Sequence, residues 1–181
     1  INLLRQKEAQ RTLLFVNRRD TGEHVADLLK ACGFSVGLIS GALSQERRSK
    51  TLEAFREGRL PILVATDVAG RGIHIDAVSH VINYNLPHDA EDYVHRIGRT
   101  GRAGATGISI SFASEDEAFY LPDIEKFIGR DLQCVQPDEA WLKMPEDLAG
   151  REAGRAEPRR SPVSFNRRPP NRSGRGGPRR R

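Results

Sequence analysis

The stretch that decides the fold is TLLFVNRRDTGEHVADLLKACGFSVGLI, residues 12–39. It opens with a short apolar run, residues 12–17, that ends in polar residues, as a buried parallel strand does. Four apolar residues then recur at the spacing of one helical face, and they are Val25, Leu28, Leu29 and Cys32. Gly33 is placed to end that helix, and Val36–Ile39 reads as a second strand. A strand, a helix and a second strand in succession predict a βαβ unit.

The same alternation continues along the chain. Further strands are predicted at residues 62–65, 81–85 and 107–112. Helices are predicted at residues 45–57 with Ser44 as N-cap and Gly58 at the end, at 89–97, and at 115–128 with a disturbance at Pro122. The expected fold class is therefore α/β, a parallel sheet with helices on both faces. Ligands of such sheets sit at the carboxyl ends of the strands, where we expect polar residues 66–74 and 95–102.

The composition changes abruptly near Leu148. Residues 1–150 carry 18 basic and 22 acidic side chains, whereas residues 151–181 carry 11 arginines and two glutamates. Beyond about Gly150 the chain consists mainly of Pro, Gly, Ser, Asn and Arg, a composition that buries too little apolar surface to offset the entropy of ordering. We expect one folded domain at 1–148 and a disordered basic tail at 149–181.

Several classes of protein are disfavoured by the rest of the composition. No apolar run approaches the roughly 20 residues of a membrane helix, and no secretory signal opens the chain. Cys32 and Cys134 lack metal-ligand spacing and are interpreted as lone buried thiols, which fits a reducing cytoplasm. No metal site is expected in this chain. Since the chain starts at Ile1 without an initiator Met, we expect it to be a fragment of a longer protein.

The densest functional signal is HRIGRTGR, residues 95–102. Three arginines within seven residues alternate with glycines that interrupt a regular helix. Guanidinium groups are permanently charged and can bind two phosphate oxygens at once, and an arginine that enters a nucleotide site from outside accelerates phosphoryl transfer. The plain alternative is a solvated basic loop.

Four motifs in order resemble those of the DEAD-box ATP-dependent RNA helicases, a family of superfamily 2. HRIGRTGRAG (95–104) resembles motif VI, and LVATDVAGRGIHI (63–75) resembles motif V. LLFVN (13–17) resembles motif IV, and Gln45 with Arg48 resembles motif IVa. The resemblance covers about residues 12–112 and implies the second RecA-like domain of such a helicase.

The resemblance also implies roles for individual residues. It assigns catalytic contact with the ATP γ-phosphate to Arg99 and Arg102; further ATP contacts to Gly72 and His74; contacts with the RNA backbone to Gly41, Gln45, Arg48 and Thr66; and interdomain contacts to Arg96, His95 and Asp67. The alternatives are an intradomain salt bridge for Arg96, helix capping for Gln45, and hydrogen bonds that fix its own loop for Asp67. His74 stands where most members have Asp, and because a neutral imidazole accepts only one hydrogen bond, the ribose contact there is weakened.

Parts of the catalytic machinery are missing from the sequence. The chain contains neither a GxxxxGK[ST] phosphate loop nor a D-E-A-D cluster, so we expect ATP hydrolysis only together with a preceding domain that holds most of the Mg²⁺ contacts. The family resemblance implies local unwinding of short RNA duplexes. His74, the segment 90–111 and YLPDIEKFIG (120–129) resemble the helicases of the bacterial RNA degradosome, which implies a role in RNA degradation and docking on RNase E or another degradosome component. Two alternatives remain, a non-catalytic module that docks RNA and a nuclease, and a DNA-directed superfamily 2 helicase. The tail either binds RNA or only adds solubility.

Overall fold

The centre of the molecule is a parallel sheet of five strands. In this computed structural model the structure describes residues 1–6, 11–67, 75, 78–101, 106–143 and 148. The strands are β1 (Thr12–Val16), β2 (Val36–Ile39), β3 (Ile62–Thr66), β4 (His80–Asn83) and β5 (Ile108–Ser111). Their order across the sheet is β2-β3-β1-β4-β5, and all the pairs are parallel. The predicted parallel α/β fold is therefore confirmed.

Helices connect the strands and follow them. They are α1 (Asn2–Gln6), α2 (Arg19–Ala31), α3 (Gln45–Arg56), α4 (Ala90–Ile97), a 3-10 turn (Ala118–Tyr120), α5 (Leu121–Ile128) and α6 (Glu139–Leu142). The Ser44 hydroxyl accepts a hydrogen bond from the Arg47 N–H at 3.4 Å, which confirms Ser44 as the N-cap of α3. The Asp89 carboxylate caps α4 in the same way, through the Glu91 N–H.

The single helix predicted at 115–128 is wrong. The chain there forms a turn and the 3-10 helix before α5 starts at Leu121. Pro122 falls in the first turn of α5, the one helical position where its missing N–H costs nothing.

Apolar side chains fill both faces of the sheet. On one face, residues of α1 and α2 such as Leu4, Val25 and Leu29 pack with Leu14 and Val64. On the other, Phe55 of α3 packs with residues of the central strands that include Leu13, Phe15, Leu63 and Val81. Every residue of β1, β3 and β4 is buried, whereas the edge strand β5 is partly exposed.

A smaller cluster holds α4. Leu86, Tyr93 and Ile124 are buried together, which packs α4 and the segment before it against α5. Both α4 and α5 are amphipathic, and so their mutual burial follows from the sequence pattern.

Two expectations concern residues outside these packed elements. Cys32 is half-buried and Cys134 is exposed, so the prediction of buried thiols is wrong for Cys134. Leu148 is buried, but the predicted basic tail, 149–181, lies outside the described residues. Among the helices that the structure describes, none is long and apolar enough to cross a membrane.

Candidate functional site

The Arg96 side chain is buried and uses every N–H that it has. Only 2% of it is exposed. The acceptors are Asp67 Oδ1 for Nε at 2.6 Å; Asp67 Oδ2 and Asn17 Oδ1 for Nη2 at 2.5 and 2.8 Å; and the Asn85 carbonyl and Asn83 Oδ1 for Nη1 at 2.8 and 3.5 Å. A guanidinium has five N–H donors. The five bonds therefore account for all of them.

These acceptors lie at the carboxyl ends of three adjacent strands. Asn17 follows β1, Asp67 follows β3, and Asn83 and Asn85 lie at and just beyond the end of β4. The ring of Phe15 lies 5.3 Å from the Arg96 guanidinium carbon. Burying a guanidinium is costly unless it is paired with a charge and fully hydrogen-bonded, and here both conditions are met. Arg96 therefore joins α4 to the three central strands.

This arrangement is the intradomain salt bridge that the sequence left open as the alternative for Arg96. Since its donors are all used inside the domain, none is left for an acidic residue of another domain in this structure. Asp67 correspondingly takes the loop-fixing role that was its own alternative. The interdomain roles of Arg96 and Asp67 stay predictions.

The four residues assigned to RNA lie at or after the carboxyl ends of two neighbouring strands, β2 and β3. Thr66 is the buried last residue of β3. Gly41 is exposed in the turn after β2, Gln45 is the exposed first residue of α3, and Arg48 is half-buried in the same turn of that helix. Because β2 lies beside β3, with Ile39 opposite Ala65, Thr66 ends one strand and the other three residues follow the end of its neighbour. Their contacts with RNA stay predictions.

Gln45 does not serve as the cap of α3. Ser44 supplies the hydroxyl that accepts the free N–H at this helix start. The capping alternative for Gln45 is thus not the arrangement found, and its exposed side chain is left for another use.

The described part of the arginine segment, residues 95–101, lies only partly at the carboxyl ends of the strands, where it was expected. Thr100 Oγ1 donates to the Val78 carbonyl at 2.5 Å, and the Val78 N–H donates to the Arg99 carbonyl at 3.3 Å. Since Val78 precedes β4, the backbone here lies near the amino end of that strand. Arg96, in the last turn of α4, reaches the carboxyl ends of the strands through its long side chain.

Two glycines make this path of the backbone possible. Gly101 has a φ of +68°, a left-handed conformation that side chains rarely adopt. Gly107 passes so close that a Cβ on it would collide with the Thr100 side chain and the Gly101 N–H. Arg99, two residues before Gly101, is half-exposed, whereas Arg102, Gly72 and His74 lie outside the described residues.

His95 lies on the outer face of α4. Its side chain is 57% exposed, with Nε2 3.8 Å from Glu91 and Nδ1 3.9 Å from Asp92. In the part of the chain that the structure describes, no three His, Cys, Asp or Glu side chains are grouped to hold a metal ion.

Three residues that bind Arg96 had no role assigned from the sequence, and they are Asn17, Asn83 and Asn85. Each is polar and stands at or just after the end of an apolar strand, as in LLFVN and HVINYN. Their position after the strands could have indicated that they belong to the site, because side chains at the carboxyl ends of parallel strands meet at one edge of the sheet.

The chain is similar to proteins of a known family. Residues 1–104 match the family described as the helicase conserved C-terminal domain. The chain is 53% identical over 142 residues to the ATP-dependent RNA helicase RhlB of Pseudomonas putida, covering 78% of this chain and 36% of that protein. It is 48% identical over 147 residues to RhlB of Haemophilus influenzae, covering 81% and 35%. The chain thus spans about a third of the length of these relatives.

Solved structures agree with the sequence matches. The E. coli DEAD-box protein SrmB, solved bound to the regulator of ribonuclease activity RraA, superposes with a TM-score of 0.72 at 38% identity, over 76% of this chain and 81% of that one. A DEAD-box protein of Methanococcus jannaschii gives a TM-score of 0.68 at 37% identity, over 75% of this chain and 38% of that one. The chain therefore belongs to the helicase C-terminal domain family, in the form found in DEAD-box RNA helicases, and it resembles RhlB.

Proposed function

We propose that this chain is the second RecA-like half of an ATP-dependent RNA helicase. Together with an upstream RecA-like domain it closes on ATP, Mg²⁺ and RNA, and it couples ATP hydrolysis to local unwinding of short RNA duplexes. Arg99 and Arg102 contact the γ-phosphate, with Gly72 and His74 on the nucleotide. Thr66, Gly41, Gln45 and Arg48 hold the RNA backbone.

The observation that carries the proposal is the bonding of Arg96. Asp67, directly after Thr66, is bound by both Nε and Nη2 of Arg96. Arg96 is three residues before Arg99, whose N–H donates to the Arg96 carbonyl at 3.2 Å. The strand end that we assign to RNA and the segment that we assign to ATP are therefore joined by one buried side chain, which gives coupling between the two ligands a direct physical path.

The mechanism follows from what each group can do. Backbone-directed contacts at the ends of β2 and β3 hold RNA by phosphate and sugar, which gives affinity without sequence preference. Domain closure brings the arginine segment to the γ-phosphate, where a guanidinium stabilises the charge that develops during transfer. Mg²⁺ would neutralise phosphate charge, and the upstream domain would supply most of the protein groups that hold it.

The test is ATP hydrolysis by the protein that includes the upstream domain. We expect single-stranded RNA to stimulate hydrolysis, and Arg99→Ala to lower the stimulated rate by about 10³-fold or more, the usual worth of such an arginine. Arg130→Ala is the matched control, because Arg130 is exposed beyond α5 and its substitution removes the same positive charge. A wild-type rate in Arg99→Ala would disprove the assignment.

Equal stimulation by DNA of the same sequence would instead favour the DNA-directed alternative. Activity without any nucleic-acid stimulation would favour neither helicase. Unwinding itself is measured on a short RNA duplex with a fluorescent strand.

The cellular role follows from the resemblance to RhlB. We propose that the protein acts in RNA degradation in the cytoplasm and docks on RNase E. Calorimetric titration of purified RNase E into this chain tests the docking, and the absence of a binding isotherm at micromolar concentrations would exclude it.

A further inference from the structure

Glu117, in the turn between β5 and α5, is held at both carboxylate oxygens. Oε1 accepts a hydrogen bond from Asn85 Nδ2 at 2.9 Å. Oε2 accepts from the Ser114 N–H at 3.3 Å, while the Ser114 hydroxyl accepts from the Glu117 N–H at 3.3 Å. This reciprocal pair with Ser114 fixes the Glu117 side chain, so its Oε1 has a set direction toward Asn85.

Asn85 carries the contact onward to the site. Its Oδ1 accepts from the Asn17 N–H at 3.4 Å, and its backbone carbonyl accepts from Arg96 Nη1 at 2.8 Å. A carboxylate can only accept a hydrogen bond and a backbone N–H can only donate one. Only an amide at position 85, with its NH₂ toward Glu117 and its oxygen toward Asn17, satisfies both neighbours.

A second contact ties the same two segments together. The Tyr120 hydroxyl and His88 Nδ1 are 2.6 Å apart, and the two rings meet edge to face. His88 lies directly before Asp89, the N-cap of α4. Residues 114–120 therefore hold the connection between β4 and α4 near both of its ends.

We propose that Glu117 is a positioning residue for the arginine segment. Glu117 fixes the side-chain amide of Asn85, and it thereby holds the backbone carbonyl of Asn85 in contact with Arg96. Arg96 in turn holds the end of α4, and Arg99 follows shortly after that end. The inference rests on the proposed function for the role of Arg99. It adds that a carboxylate outside the four motifs sets the geometry of motif VI.

The first experiment compares two neighbouring carboxylates in the protein with its upstream domain. Glu117→Ala is expected to lower the RNA-stimulated kcat about tenfold, the factor that corresponds to one lost hydrogen bond to a charged group. KM for ATP is expected to stay within about twofold, since the loss falls on the transition state rather than on binding. Asp116→Ala is the matched control, an exposed carboxylate one residue away whose removal leaves kcat unchanged.

The second experiment exchanges the hydrogen-bonding partners. Asn85→Asp places two carboxylates against each other and is expected to lower kcat as much as Glu117→Ala does. Combining it with Glu117→Gln restores the contact in reverse, because the glutamine amide donates to the new aspartate. The double variant is therefore expected to recover most of the wild-type kcat. Two substitutions that each disturbed the fold independently would not restore kcat when combined.

The outcomes separate the two proposals. If the unaltered protein shows no RNA-stimulated hydrolysis, the proposed function is wrong. If it does, and Glu117→Ala keeps the wild-type kcat, the positioning role is overturned. If thermal melting shows that Glu117→Ala is not folded, the double variant Asn85→Asp with Glu117→Gln is used instead. A kcat of the double variant no higher than that of Asn85→Asp alone overturns the inference.

Discussion

The salt bridge between Arg96 and Asp67 gives the most quantitative prediction. Arg96→Leu removes both bonds to Asp67 and leaves a carboxylate of which only 27% is exposed without its counter-charge. Removing one partner of a buried pair costs about 3–5 kcal/mol of unfolding free energy. Asp67→Asn keeps one acceptor oxygen and is expected to cost about 1.5–3 kcal/mol, the worth of one hydrogen bond to a charged group. The double variant should therefore lose about 2 kcal/mol less unfolding free energy than the sum of the two single variants, and this difference is the coupling energy of the pair.

The pair Arg19–Glu23 on α2 serves as the control. It has the same chemistry with one bond of 2.8 Å, but its side chains are 61% and 48% exposed. Exposed pairs at this helical spacing couple by only about 0.3–0.5 kcal/mol. Both double-mutant cycles are measured by urea unfolding of the 181-residue chain, with equal m-values as the check on two-state behaviour. A coupling at Arg96–Asp67 no larger than that at Arg19–Glu23 would refute the view that this guanidinium holds the strand ends together.

Three further predictions concern packing, pH and the tail. Gly107→Ala should destabilise the chain by roughly 1–3 kcal/mol or more, because the added methyl collides with Thr100 and backbone; a melting temperature equal to wild type would contradict this. Arg18, first by its side-chain hydrogen bond, lowers the pKa of Asp20 to about 2. The ionised Asp20 carboxylate therefore stabilises the fold fully above pH 3.8, and this effect is lost as the pH falls toward 2. The difference in unfolding free energy between wild type and Asp20→Asn should shrink over that range in urea titrations. Deleting residues 151–181 should weaken RNA binding and flatten its dependence on salt, since fewer counterions are released; an unchanged slope would mean that the tail does not contact RNA.

The sheet was predictable because its signals are local. Strands β1, β2 and β3 are short and mostly apolar runs, and helices such as α3 have a capping residue at the start and a glycine at the end. Errors arose where local signals compete. At 115–128, the acidic and apolar pattern favours one helix, but Pro122 allows a helix to start only next to it.

The position of the arginine segment could not be predicted from its own residues. Thr100 lies near the amino end of β4 because its hydroxyl and the Arg99 carbonyl form hydrogen bonds with Val78, which is 22 residues from Thr100 in the sequence. Long-range hydrogen bonds of this kind depend on the register of the sheet, which no local pattern states.

The partners of Arg96 were only half predictable. Motif comparison gave roles to Arg96 and Asp67; it included Asn17 in motif IV without a role, and it did not reach Asn83 or Asn85. A buried guanidinium needs five acceptors, and so a search for polar residues at strand ends would have found Asn17, Asn83 and Asn85.

The saturation of Arg96 also bears on the electrostatic potential outside the domain. Its positive charge is balanced at contact distance by Asp67, and such a close pair appears from several ångströms away as a weak dipole rather than as a charge. A phosphate that approaches this edge is therefore attracted by the exposed cations around it, such as Arg47 on α3, and hardly at all by the arginine that organises the site. The residue that shapes the edge and the residues that draw an anion to it are different, so each can be changed by mutation without changing the other.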